Sequence, residues 1–163
     1  MSADCLFVLR SCVDRDELKQ TLSAYAQKMG IGLWFDPRDA LLVFNQIALD
    51  DETFLFEPTN GPHTLDSGLL LVPDYYAINE EKPNRPFAQR AEILQELGQI
   101  GLRFASSLEI YISEDDPYLP DYTMYVVEQD KIMDVLLQEA EKSERHLEPI
   151  PCIYIYVTNR QHL

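Results

Sequence analysis

The sequence predicts a single α+β domain over residues 1–163, with a mixed or mostly antiparallel sheet packed by about three helices. Three observations support this class. Hydrophobic residues make up 46% of the 163 residues and are spread from end to end, which is enough to bury a core. Three segments have the apolar spacing of helices, and several short segments are rich in β-formers. No internal repeat or long linker marks a boundary between domains.

The first third of the chain predicts a strand and a helix. Residues 5–9 are continuously apolar, as expected for a strand. Asp16 and Glu17 lie where acidic residues favour a helix start, apolar residues then recur at helical spacing to Met29, and Gly30 ends the helix. Short apolar runs at 33–35, 41–44, 54–56 and 69–72, separated by turn-forming residues, predict a β-meander.

A second helix is predicted after the proline-containing loop 73–86, with Pro86 as its first residue. Its buried stripe includes Ile93, Leu97 and Ile100. Gly98 and Gly101 each weaken a helix by about 1 kcal/mol relative to alanine. We therefore expect both glycines to pack closely against a neighbouring element.

The last third predicts strand, strand, helix and strand. Leu108, Ile110 and Ile112 alternate with more polar residues, which indicates a strand with one buried face. Residues 122–127 and 152–157 are two more β-rich runs, and residues 130–143 have helical spacing.

The charge balance excludes two classes of partner. With 28 Asp and Glu against 13 Lys and Arg, the formal net charge is −15. Such a chain is poorly suited to bind a nucleic-acid backbone or an anionic membrane.

The N-terminus and the cysteines indicate the compartment. The N-terminus lacks the pattern of a secretory signal. The three widely spaced cysteines predict reduced thiols, with Cys5 and Cys152 buried in strands. We therefore expect a cytoplasmic protein.

Motifs for catalysis, cofactors and metals are missing from the sequence. It contains no glycine-rich phosphate loop, no paired Cys or His at zinc spacing and no nucleophile elbow. The densest carboxylate clusters, 50–52 and 114–116, do not match a calcium loop. We predict no catalytic residue, no cofactor and no metal site.

The acidic residues are concentrated in two parts of the chain. Nine of them lie between residues 39 and 81 and seven between 104 and 130, and neither stretch contains Lys or Arg. Tyrosines are interleaved with these acids, and tyrosine supplies rigid contact area while carboxylates attract a basic partner. The predicted partner-binding residues are Asp50, Asp51, Glu52, Glu114, Asp115, Asp116, Tyr118, Asp121 and Tyr122.

This small, acidic, motif-poor chain rich in tyrosine and carboxylates resembles the immunity proteins of bacterial toxin systems, including contact-dependent inhibition and other polymorphic toxins. The resemblance implies a cognate toxin domain, frequently a basic nuclease, as partner, and inhibition by covering its active site. Two other hypotheses stay open at this point. One is an enzyme or small-molecule binder with a pocket of dispersed residues such as His63, Tyr76, Arg90 and Asp116, and the other is a homodimeric structural or regulatory subunit.

Overall fold

The computed structural model describes residues 4–36, 49–59, 85–113, 123–147 and 152–158. The elements in these ranges, in chain order, are β1 (Asp4–Arg10), α1 (Arg15–Met29), β2 (Gly32–Phe35), β3 (Phe54–Thr59), α2 (Phe87–Leu102), β4 (Ser107–Ser113), β5 (Thr123–Glu128), α3 (Ile132–His146) and β6 (Ile153–Thr158). They confirm the predicted α+β class with a mixed, mostly antiparallel sheet and three helices. Among the helices of these ranges, none combines the length and the apolar run that crossing a membrane requires.

Six strands form the sheet in the order β2-β3-β1-β4-β6-β5. All neighbours are antiparallel except β5 and β6, which are parallel. Parallel neighbours need a crossover connection, and α3 lies between these two strands in the chain. The segments at 33–35 and 54–56 form the neighbouring strands β2 and β3, as the predicted meander requires. The other neighbour of β3 is β1, from the start of the chain. The predicted strands 41–44 and 69–72 lie outside the described residues.

One face of the sheet packs against the three helices. The strands supply alternate residues to this core, for example Phe7 and Leu9 from β1 and Leu108 and Ile110 from β4. The middle helix, α2, contacts both α1 and α3. In β1, Leu6 and Val8 are also fully buried although they point to the opposite face, because side chains alternate along a strand. The predicted strand at 5–9 is therefore confirmed and is buried on both faces.

Close packing of the two α2 glycines is also confirmed. A Cβ atom on Gly98 would lie 2.9 Å from Leu108 Cδ2 and 3.0 Å from Ile132 Cδ1. A Cβ atom on Gly101 would lie 2.9 Å from Leu9 Cδ2. The glycines thus let α2 approach both the sheet and α3 more closely than alanine allows.

Several local expectations need correction. Pro86 precedes α2 as its N-cap instead of being its first residue, and α3 extends to His146, three residues past the predicted end. Cys152 is only half-buried and precedes β6, whereas Cys12 is buried together with Cys5. Burial raises the pKa of the Cys12 thiol, which makes it a poor nucleophile.

Candidate binding groove

Three chain segments meet at one end of the sheet and form a groove. Register places Leu9 opposite Phe54 and Phe35 opposite Phe56, so the end of β2, the start of β3 and the end of β1 lie together. The first turn of α1 lines the same groove, whose volume is about 560 Å³. The groove is lined by Arg15, Asp16, Lys19, Asp36, Leu49, Asp50, Asp51, Thr53, Phe54 and Leu55.

A tight turn before β3 presents two of the groove's carboxylates. Asp50 Oδ1 accepts hydrogen bonds from the Glu52 N–H at 2.9 Å and from Thr53 Oγ1 at 2.8 Å. The Thr53 N–H also donates to the Asp50 carbonyl at 3.2 Å. The hydrogen bond from Thr53, followed by that from the Glu52 backbone, lowers the pKa of Asp50. Asp50 therefore stabilises the turn. In this turn the side chain of Asp51 is exposed.

The other two carboxylates come from distant parts of the chain. Asp36 follows β2, and its N–H donates to the Leu55 carbonyl at 2.9 Å, which fixes the end of β2 beside β3. Asp16 lies in the first turn of α1, where its negative charge interacts favourably with the helix dipole. Among the described residues, four aspartates and two cations thus line the groove.

Both cations of the groove contact backbone oxygens or aromatic rings. Arg15 donates from Nη1 to the Asp51 carbonyl at 2.8 Å and from Nη2 to the Thr53 carbonyl. Its guanidinium also lies over the Phe54 ring, 5.7 Å from the centroid. Lys19 Nζ lies 5.9 Å from the centroid of Phe35. These contacts hold both positive groups in the walls of the groove.

A polar network on the face of the sheet away from the helices supports the turn. Glu109 accepts from Arg10 Nε at 2.6 Å, from Tyr154 Oη at 2.8 Å and from Tyr111 Oη at 3.2 Å. Arg10 Nη1 in turn donates to Thr53 Oγ1 at 3.3 Å. Burial, and then the hydrogen bond to Glu109, raises the pKa of Tyr154, so the phenol keeps its proton. The network therefore connects β4 and β6 to the turn that carries the acidic residues.

The predicted partner-binding residues divide into two groups. Asp50 and Asp51 line the groove, while Glu52 is exposed but does not line it. Glu114, Asp115, Asp116, Tyr118, Asp121 and Tyr122 lie outside the described residues. Their described neighbours, Ser113 and Thr123, pair with Asp4 and Ile153, at the other end of the sheet from the groove. Along the seven residues of β1, the two ends are about 20 Å apart.

Sequence reasoning missed Asp16, Asp36, Arg15 and Lys19. In the sequence, Asp16 indicates only the start of a helix, and Asp36, followed by Pro37, indicates only a turn. Each of those signals is local. The convergence of these residues with the turn at 50–53 depends on strand order, which no spacing in the sequence reveals.

The alternative pocket of dispersed residues is represented by Arg90 alone in the described ranges. Arg90 is fully buried, its Nε donates to the Arg85 carbonyl at 3.1 Å, and its guanidinium lies 5.2 Å from the Phe87 ring centroid. His63, Tyr76 and Asp116 lie outside the described residues. Among the described residues, no group of three or more His, Cys, Asp or Glu side chains is arranged to hold a metal ion.

Comparison with known proteins gives no match among protein-family models, curated proteins or solved structures.

Proposed function

We propose that this protein is a non-enzymatic binding module that holds and neutralises a basic partner protein. The observation that carries the proposal is the convergence of four aspartates in one groove, where the two described cations contact backbone oxygens and aromatic rings. An Arg or Lys side chain of a partner fits such a groove, because carboxylates form strong charge-assisted hydrogen bonds and the exposed Leu49 offers apolar contact.

The partner that we propose is a cognate bacterial toxin domain, met in the cytoplasm and inhibited by coverage of its active site. The net charge of −15 supports this choice, since it speeds the encounter with a positively charged protein. Basic groups that grip a nucleic-acid substrate are suitable targets for a carboxylate-lined surface, because they are arranged to bind anions. In this proposal the loop 114–122 is a second contact.

The test is to capture the partner from the native host, identify it, purify it and measure its affinity by calorimetry. The proposal requires a basic protein whose affinity for the double variant Asp16→Asn/Asp51→Asn falls about tenfold. The matched control is Asp134→Asn/Glu144→Gln, which also removes two exposed carboxylates, one of them from the first turn of a helix.

The control variant should keep nearly full affinity. Equal affinities for the two double variants would contradict the assignment of the groove. An acidic or neutral partner would contradict the proposal as a whole. The triple variant Glu114→Gln/Asp115→Asn/Asp116→Asn tests the second contact separately, and unchanged affinity would remove that loop from the interface.

A further inference from the structure

Strand β5 lies at one edge of the sheet. Among the described strands its single neighbour is β6, in parallel register. The Thr123 N–H donates to the Cys152 carbonyl at 2.9 Å, so the backbone groups of Thr123 point toward β6. These directions alternate along a strand, so the N–H and C=O groups of Met124 and Val126 point away from the sheet. No described residue forms a backbone hydrogen bond with them at this edge.

The side chains of the same two residues are exposed. Met124 is 68% exposed and Val126 is 71% exposed, while the alternate residues of β5 pack against the core. Register places them beside the half-buried Tyr154 and Tyr156 of β6. Natural edge strands are protected from further pairing by charged residues, proline or bulges. Residues 123–127 contain no charged residue and no proline, and they pair with β6 without a bulge, so this edge can accept another strand.

Negative charge follows the two exposed apolar residues. Glu128, the last residue of β5, is exposed and lies on the same face as Met124 and Val126. Asp130, in the turn after β5, is exposed as well. Because the chain carries a net charge of −15, a second copy is repelled from this edge and a basic segment is attracted to it. The matching strand therefore has alternating apolar side chains and a Lys or Arg next to Glu128.

We propose that β5 binds an extended segment of a basic protein as an additional antiparallel strand. Antiparallel pairing is the more stable arrangement, and the partner residues opposite Met124 and Val126 each exchange both N–H···O=C bonds with them. Opposite residues share a face, so these two partner residues are apolar and the one opposite Glu128 is basic. The antiparallel direction puts the basic residue first, which gives the order basic-x-apolar-x-apolar. This site goes beyond the proposed function, because β5 shares no residue with the acidic groove between α1 and β3.

The test uses the ¹⁵N-labelled full chain and three synthetic peptides of equal length. The first, acetyl-GKTVTVTG-amide, has the required order. The second, acetyl-GKVTVTTG-amide, has the same composition but carries its valines on the other face, and the third, acetyl-GETVTVTG-amide, replaces lysine by glutamate. We expect the first peptide to bind at least about tenfold more tightly than the second and several-fold more tightly than the third.

The amide signals report where the first peptide lies. The N–H protons of Met124 and Val126 should shift downfield and exchange more slowly with solvent, since they gain acceptors. The N–H protons of Tyr125 and Val127 point toward β6 and should change less. Equal affinity of the first two peptides would overturn the proposal, as would shifts that are largest outside β5 and β6.

Sedimentation equilibrium of the chain without peptide tests the competing occupant, a second copy. We expect a monomer, because like charges oppose the pairing of two β5 strands. A dimer that dissociates in the variant Val126→Lys would show that β5 pairs with its own copy and would overturn the proposal.

Two variants locate the contacts. Val126→Lys places a positive charge at the exposed edge and should abolish binding of the first peptide, and its melting temperature is measured to verify folding. Glu128→Gln should remove the preference for the first peptide over the third and keep the preference over the second. Glu92→Gln, an exposed change on α2 in the cleft beside α1, is the matched control and should alter neither preference. Undiminished binding to a folded Val126→Lys variant would contradict the assignment.

Discussion

Replacement of Gly101 by alanine tests whether α2 packs so closely on β1 that position 101 has no room for a Cβ atom. On the observed backbone, the added Cβ would lie 2.9 Å and 3.0 Å from the two methyl carbons of Leu9 and 3.5 Å from its Cγ. Leu9 is fully buried, and its neighbours across the sheet, Phe54 and Leu108, are at most 4% exposed. Because Leu9 is packed among buried side chains, it cannot move aside without displacing other core residues.

The expected magnitude follows from two opposing effects. An extra methyl group in a well-packed core costs about 1–3 kcal/mol. Alanine recovers at most about 1 kcal/mol of helix propensity, and less at Gly101 because it is the next-to-last residue of α2. We therefore expect Gly101→Ala to lower the free energy of unfolding by about 1–2 kcal/mol. For a chain of this length, that corresponds to a melting temperature lower by about 2–8 °C.

Thermal and urea unfolding followed by circular dichroism provide the assay. Ala24→Gly, at an exposed position of α1, is the control for helix propensity and should lower the free energy of unfolding by about 1 kcal/mol. Leu9→Val removes the two clashing methyl positions, so the double variant should be more stable than additivity predicts by about 1 kcal/mol. A Gly101→Ala variant as stable as the wild type, or strict additivity in the double variant, would refute the packing argument.

Two further predictions concern hydrogen-bonded carboxylates. Glu109→Gln should lower the free energy of unfolding by about 1–2 kcal/mol in urea titrations, because it removes the charge beside partly buried Arg10, whose side chain is 25% exposed. Burial, and then the hydrogen bond to a buried glutamate, raises the pKa of Tyr125 to about 12. The folded protein therefore keeps a proton that the unfolded chain releases near pH 10, so the stability from Tyr125 is present below pH 10 and is lost as the pH rises toward about 12. Tyr125→Phe should flatten this loss in unfolding curves recorded between pH 9 and 12, and identical curves would contradict it.

The sequence was most informative where a pattern is local. The alternation of Leu108, Ile110 and Ile112 predicted β4 correctly, because a half-buried strand needs only its own period of two. Gly98 and Gly101 were predicted as packing residues because glycine in a helix interior is unfavourable without such a reason. Both predictions depend on residues within a single element.

The sequence was least informative where distant segments meet. A charged residue such as Glu139 is expected at the surface, yet it is 3% exposed and accepts a hydrogen bond from Tyr125 on the neighbouring strand. Asp16 and Asp36 join the turn at 50–53 only because the end of β2 and the starts of β3 and α1 lie at the same side of the sheet. Such convergence depends on strand order and on pairings between residues far apart in the chain.

The most direct test of the proposed function is the association rate constant with the purified partner as a function of salt. Stopped-flow measurements at 50 mM and 500 mM NaCl compare the wild type with Asp16→Asn/Asp51→Asn. If the acidic groove attracts a basic protein, the wild-type rate constant falls at least about tenfold over this range, and the variant shows a shallower salt dependence. A wild-type rate constant that stays the same at both salt concentrations would contradict the account.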